Sequence, residues 1–69
     1  MDRYPLVVWH NGRTVELELS VETHDRLRKI VFKKGISRFD VVRKAFEDKG
    51  EVSEEAILAY LNEHKEELE

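Results

Sequence analysis

Residues 14–20 alternate between polar and apolar side chains, residues 4–9 are a short apolar run, and Asn11-Gly12 lies between the two segments. An Asn-Gly pair supplies the two positive-φ residues of a type I′ turn, so the pattern predicts a β-hairpin over about 4–20. A two-residue loop pairs His10 with Arg13 and thereby fixes the register of the whole ribbon. One face is then expected to join a core: Tyr4, Leu6, Val8, Val15, Leu17 and Leu19.

The opposite face of this hairpin mixes apolar side chains with acids, where a purely structural surface is expected to be polar. An exposed tryptophan beside a valine has the composition of an interface hot spot, so we expect Trp9 to anchor a protein contact. Self-association through the same face and a structural role for Trp9 are the alternatives. The predicted contact residues are Val7, Trp9 and Thr14, with Pro5, His10, Arg13 and Glu16 as their rim.

After Ser20 the hydrophobic period changes from 2 to about 3.6, which predicts helices. Ser20, Ser37 and Ser53 are placed as N-caps, and Gly35 and Gly50 as left-handed helix ends. The helices are expected over about 21–34, 38–49 and 53–67. The prediction is therefore an α+β fold in a single domain, 1–69: a two-stranded antiparallel hairpin followed by three short helices (ββααα) packed on one face of the hairpin.

Helical projection indicates which helix positions meet the ribbon. Each helix has one stripe of positions expected to face the ribbon. In the first helix the stripe is Thr23, Leu27, Ile30, Val31 and the stem of Lys34, and in the second it is Phe39, Val41, Val42, Ala45 and Phe46. In the third helix it is Ile57, Leu61, His64 and Leu68. Phe32 falls outside the first stripe, which predicts either a boundary contact with the third helix or exposure.

Composition narrows the class of protein. The chain has 69 residues, of which 39% are charged, and it has no cysteine. Disulfides and cysteine-based zinc sites are therefore excluded, and stability must come from packing and local order. No apolar run approaches the ~20 residues of a membrane span, and the N-terminus does not resemble a signal peptide. We expect a soluble protein without membrane contact, and no cellular compartment is indicated.

Charge is distributed unevenly. Residues 26–44 carry eight basic side chains against Asp40 alone, a net charge of +7 in a chain whose total is −3. Such a segment is typical of a solvated helix surface, but it also offers a docking surface for acidic protein or phosphate. The candidate basic patch is Arg28, Lys33, Lys34, Arg38, Arg43 and Lys44, and nucleic acid is its alternative partner.

Part of the chain resembles a known family. Val15-Glu-Leu-Glu-Leu-Ser20, followed by Gly35-Ile36-Ser37-Arg38, is similar to the ribbon-helix-helix repressors over residues 15–46. The resemblance implies a strand whose polar side chains enter the DNA major groove, and those positions are Glu16 and Glu18 here. Because carboxylates are repelled by phosphates and the strand has an intrachain partner, we interpret the likeness as architectural. A helix-turn-helix over 31–42 is a looser alternative.

Catalytic chemistry has little support. His10, His24 and His64 stand in no HExxH, P-loop or GxSxG context. We predict no catalytic, metal or cofactor site and no enzyme. The regular serine caps and glycine ends also resemble idealised, computationally designed mini-proteins, so a fold without function beyond folding is a further alternative.

Overall fold

The computed structural model describes residues 2–69, in which a two-stranded antiparallel ribbon is followed by four helices. The hairpin and the helices packed against it confirm the predicted α+β class. The elements are β1 Arg3–His10, β2 Arg13–Ser20, α1 Val21–Lys34, α2 Arg38–Lys49, α3 Glu54–Glu63 and α4 Lys65–Leu68.

The turn sets the register of the ribbon. Asn11 and Gly12 have φ values of 53° and 75°, the positive pair that a type I′ turn requires. The strand pairs run without a bulge from His10 with Arg13 to Arg3 with Ser20, as the sequence predicts. A slip of one residue would exchange the two faces, so this turn decides which side chains meet the helices.

The core lies between one ribbon face and the helices. Leu6, Val8 and Leu19 are buried on the ribbon, and Val15 and Leu17 are partly buried beside them. The helices contribute Leu27 and Ile30 from α1, Val41, Val42, Ala45 and Phe46 from α2, and Ala56, Ile57 and Leu61 from α3. These side chains form one cluster, so all three long helices are needed to bury a single ribbon face.

Two residues predicted on the outer rim of the ribbon lie on its inner side instead. His10 is only 8% exposed, and its ring meets Phe46 edge-on with the centroids 5.3 Å apart. His10 has the same parity along β1 as Leu6 and Val8, and Arg13 is its cross-strand partner. The strand period of two therefore places His10 and Arg13 with the core-facing residues, and their assignment to the outer contact was wrong.

Other predicted core positions are exposed. Tyr4 is 38% exposed at the open end of the ribbon, where its ring stacks on His24 at 4.0 Å. Val31 is 39% exposed, and Lys34 is exposed as well. The buried stripe of α1 is narrower than predicted because only one side of the helix meets the ribbon, and Val31 lies about 100° from Ile30 around the helix.

The predicted helix boundaries are confirmed for α1 and α2. The hydroxyl groups of Ser20, Ser37 and Ser53 each accept a hydrogen bond from a backbone N–H in the first turn of the following helix. Gly35 and Gly50 have φ values of 68° and 66°, which end the helices before them. These caps leave loops of three and four residues, so the helices pack close to one another.

The third predicted helix is interrupted. His64, with φ −111° and ψ 27°, ends α3 and precedes the single turn α4. Its Nδ1 lies 2.9 Å from a carboxylate oxygen of Glu67, and its ring packs on Tyr60. The break turns the chain so that Leu68 packs against the core.

Glu54 ties the start of α3 to the junction between β2 and α1. One carboxylate oxygen, Oε2, accepts hydrogen bonds from the Ser20 backbone N–H at 3.0 Å, the Ser20 hydroxyl at 2.8 Å and the Thr23 hydroxyl at 2.6 Å. Partial burial opposes ionisation, but these hydrogen bonds and the nearby Arg3 together lower the pKa of Glu54. The junction is thus held by a charged acceptor more than thirty residues away in sequence.

Phe46 and Phe32 form a matched pair for testing the core, because they are 1% and 90% exposed. We expect Phe46→Ala to cost about 3–5 kcal/mol, which is comparable to the whole stability of a domain this small. Phe32→Ala should change stability by about 0.5 kcal/mol or less. Urea unfolding followed by far-ultraviolet circular dichroism measures both, and equal losses would contradict the described core.

Glu54→Gln should lower the free energy of unfolding by about 1–2 kcal/mol at neutral pH, because the amide is a weaker acceptor for three donors. Since the folded-state pKa of Glu54 is lowered, its stabilisation is present above the ordinary glutamate pKa and is lost as the pH falls through the folded-state value. Denaturation measured against pH should therefore show a smaller acid dependence for Glu54→Gln than for the control Glu55→Gln. Equal acid dependence in the two variants would contradict this role.

Candidate protein-interaction surface

The ribbon presents a second face, directed away from the helices, that we call the outer ribbon face. On it Trp9 is 62% and Val7 is 50% exposed. The face has two stripes, since apolar β1 residues lie opposite polar β2 residues in the pairs Val7 with Glu16 and Trp9 with Thr14. Its residues, all exposed, are Arg3, Pro5, Val7, Trp9, Thr14, Glu16 and Glu18.

The exposure of these side chains follows from the topology. A two-stranded ribbon has two faces, and the helices of residues 2–69 pack on the inner one. Trp9 and Val7 therefore contribute strand propensity but little to the core. Their neighbours on β1, Leu6 and Val8, are buried, so the backbone beneath the exposed pair is held in place by the core.

The edges of the ribbon are partly blocked. With a two-residue turn, the outer-face residues occupy the non-hydrogen-bonded pairs, so their backbone N–H and C=O groups point to the ribbon edges. Pro5 has no N–H to offer on the β1 edge. On β2, the Glu18 carbonyl oxygen accepts a hydrogen bond from the Arg3 guanidinium at 2.9 Å. Both features discourage the addition of another strand at a ribbon edge. The side chains, rather than the backbone, are therefore the main groups that the outer ribbon face offers to another molecule.

Most of the predicted contact set is brought together. Pro5, Val7, Trp9, Thr14 and Glu16 share the outer ribbon face. Arg13 instead lines a cleft on the helix side with His10 and Val52. Two charged residues of the face, Arg3 and Glu18, are absent from the predicted contact set, although the strand period alone places both on this side.

The basic segment is partly neutralised. Arg28 lies 3.7 Å from Asp25, Arg43 is bonded to Asp40, and Lys33 donates to the backbone oxygen of Glu69 at 3.2 Å. Within the part of the chain that is described, the other three candidates form no ion pair: Lys34, Arg38 and Lys44. Two of the six patch residues, Arg28 and Arg43, therefore have a carboxylate partner, so the uncompensated positive charge of the patch is smaller than six basic side chains indicate.

The side-chain carboxylate of Glu69 also forms an ion pair with a basic residue of this segment. Arg26 donates to Glu69 through Nε at 3.2 Å and Nη2 at 2.6 Å. This hydrogen-bonded pair lowers the pKa of Glu69 and raises that of Arg26, although partial burial opposes both charges. Since Glu69 also accepts from Lys33, the end of the chain covers one side of α1.

An open apolar groove lies between α1 and α2, and we call it the α1–α2 groove. It has a volume of about 320 Å³ and is lined by Arg28, Val31, Ser37, Arg38 and Phe39. The Arg38 guanidinium lies 5.1 Å from the centre of the Phe39 ring. Phe32, the most exposed large apolar residue described, follows Val31 on the surface of α1. Phe32 itself is not among the lining residues, whereas Arg28 and Arg38 belong to the basic patch predicted from the sequence.

The three histidines pack against three different aromatic rings. His24 stacks on Tyr4, His10 meets Phe46 edge-on, and His64 lies 4.3 Å from Tyr60 between ring centres. These contacts give each histidine a packing role on a separate part of the molecule. Nothing in their geometry joins them into a catalytic arrangement.

Asp48, Glu63 and His64 bring three potential metal-ligating atoms within 4.8 Å of one another, which the sequence did not predict. Lys49 already occupies this cluster, since its ammonium is bonded to Glu63 and lies 3.5 Å from Asp48. The hydrogen bond with Glu63 raises the pKa of Lys49. Partial burial, together with the charges of Asp48 and Glu67, raises the pKa of Tyr60. We interpret the cluster as a network of ion pairs.

Comparisons with models of protein families, with characterised proteins and with solved structures gave no significant match. Among residues 2–69, no helix has the length and apolar character needed to cross a bilayer. The functional interpretation therefore depends on the surfaces described above.

Trp9→Ser and Val8→Ser test the two faces of one strand, since these neighbours are 62% and 2% exposed. Trp9→Ser should lower the free energy of unfolding by less than about 1 kcal/mol, because only strand propensity is lost. Val8→Ser should cost about 2–4 kcal/mol, because it leaves a cavity and buries a hydroxyl. Urea titrations measure the difference. A loss of stability in Trp9→Ser equal to that in Val8→Ser would assign Trp9 to the core.

Proposed function

We propose that the chain is a non-enzymatic protein-binding module whose outer ribbon face docks a protein partner around Trp9. The observation that carries the proposal is the joint exposure of Trp9 and Val7, at 62% and 50%, on the face that the helices do not cover. Tryptophan is among the residues most enriched in binding hot spots, where truncation costs about 2 kcal/mol or more.

The surroundings of Trp9 suit such a hot spot. Thr14 lies directly across the ribbon from it, and Glu16 lies across from Val7. Polar groups at the edge of an apolar anchor exclude water from the contact and add specificity. Because β1 is held by its buried residues Leu6 and Val8, little conformational entropy is lost when the face is covered.

The face also indicates the chemistry of its partner. A matching surface needs an apolar depression for the indole of Trp9 and cationic groups opposite Glu16 and Glu18. The ribbon is only eight residues long on each strand, so the contact belongs to the small, transient class of interfaces.

Nucleic-acid binding by the basic segment has less support. Arg28 and Arg43 already have acidic neighbours, Asp25 and Asp40. The ribbon positions that would read bases in the ribbon-helix-helix family, Glu16 and Glu18, are both acidic. Carboxylates on that face oppose binding to a phosphate-lined groove.

The proposal is tested by selecting ligands from a random peptide library displayed against the immobilised chain. If the outer ribbon face is the preferred docking surface, the enriched peptides should bind Trp9→Ser at least about tenfold more weakly than the unmodified chain. Fluorescence anisotropy of labelled peptides measures the dissociation constants.

Phe32→Ser is the matched control, because it removes another exposed aromatic residue on a different surface. Its affinity for the selected peptides should equal that of the unmodified chain. Peptides that bind Trp9→Ser undiminished, or a library that yields no ligand, would contradict the proposal; the second outcome is what a chain without function beyond folding would give.

A further inference from the structure

The molecule exposes two apolar surfaces that cannot meet within one chain. The first is the outer ribbon face, which points away from the helices, and the second is the α1–α2 groove, which lies on the helices. In the groove Val31 is 39% exposed and Phe32, beside it, is 90% exposed. Neither surface is covered by any element of residues 2–69, so each is available to another molecule.

The two surfaces have opposite charges. The outer ribbon face carries Glu16 and Glu18 on β2 against Arg3 alone. The groove is lined by Arg28 and Arg38 and has no carboxylate among its lining residues. Arg28 lies 3.7 Å from Asp25, which is outside the lining, so among the described residues Arg38 is the lining cation that forms no ion pair. Opposite charges around apolar centres are the arrangement that orients two protein surfaces toward each other.

The groove also offers the apolar and aromatic groups that an indole needs. It is a wide, open groove with a volume of about 320 Å³. Its wall includes the Phe39 ring, over which the Arg38 guanidinium lies, so an incoming indole would find both an aromatic and a cationic neighbour. These groups complement an exposed tryptophan.

A contact between two outer ribbon faces is less favourable. Such a symmetric pair would place Glu16 and Glu18 of one copy beside those of the other, with Arg3 as the single cation that each face supplies. Desolvating like charges in one interface costs free energy. The groove of a second copy removes this repulsion.

We propose that the partner of the outer ribbon face is the α1–α2 groove of a second copy of this chain, with Trp9 inserted beside Val31 and Phe39 and with Glu16 and Glu18 facing Arg28 and Arg38. This proposal rests on the protein-binding function of the outer ribbon face. Because the two contacting surfaces differ, each copy offers one surface of each kind, and an assembly that does not close on itself leaves one free surface of each kind at its ends.

Two variants, each lacking one surface, test the geometry. The face variant is Val7→Ser with Trp9→Ser, and the groove variant is Val31→Ser with Arg38→Glu; all four residues are exposed, so both variants should fold. Sedimentation equilibrium should show the mean mass of the unmodified chain rising between about 10 µM and 1 mM, as expected of a small interface. Each variant alone should remain monomeric.

An equimolar mixture of the two variants should form a 1:1 complex and no larger assembly, because only one complementary pair of surfaces remains. Since Trp9 is the only tryptophan, the face variant has none. Titrating it into the groove variant should therefore shift the tryptophan emission to the blue as Trp9 leaves water.

Self-association of the groove variant as strong as that of the unmodified chain would overturn the proposal in favour of a face-to-face contact. A monomeric unmodified chain over the whole concentration range, or a mixture without complex, would overturn it in favour of a foreign partner. In that case peptide ligands that depend on Trp9 would still uphold the proposed binding function, so the two failures are distinguishable.

Discussion

The positive-φ turn at Asn11-Gly12 is the constraint on which the rest of the structure depends. Two residues in this conformation fix the pairing of every residue in the ribbon, and the pairing fixes its two faces. A wrong register would place Trp9 in the core and Leu6 or Val8 in water. The turn thus determines both what the helices cover and what they leave open.

Helix packing then completes the separation of a buried ribbon face from an exposed one. The helices of residues 2–69 form one core with the inner ribbon face, and the Glu54 carboxylate holds α3 to the start of α1 through Ser20 and Thr23. Since one oxygen accepts from three donors, these hydrogen bonds favour the ionised form of that carboxylate. Its lowered pKa keeps it ionised well below neutral pH, so the exposed ribbon face is presented on a fixed support.

Local features were predictable from sequence, and long-range ones were not. The turn, the register and the serine and glycine helix ends depend on residues within a few positions of one another. By contrast, the Glu54 network and the Arg26–Glu69 pair join residues that are 31 and 43 positions apart. No periodicity reports such contacts.

The candidate site shows the same difference between local features, which the sequence predicts, and long-range ones, which it does not. Its apolar pair, Val7 and Trp9, followed from the strand period, whereas the predicted rim positions of His10 and Arg13 conflict with that period, which places both on the inner side. The α1–α2 groove needed the relative position of two helices, which only tertiary packing sets. Sequence alone therefore predicted the outer ribbon face as an exposed apolar surface, but not the α1–α2 groove.

The separation of charge limits which surfaces the outer ribbon face and the α1–α2 groove can contact. The net charge of −3 hides a basic α1–α2 region and an acidic ribbon face. Apolar burial is non-directional, so Trp9 and Val7 alone would associate with many apolar surfaces. In the proposed docking contact, Glu16 and Glu18 restrict that choice to surfaces with cations around an apolar depression, because an acidic neighbour would leave like charges desolvated. The proposal thus assigns the affinity of the face to its apolar residues and its selectivity to the acids beside them.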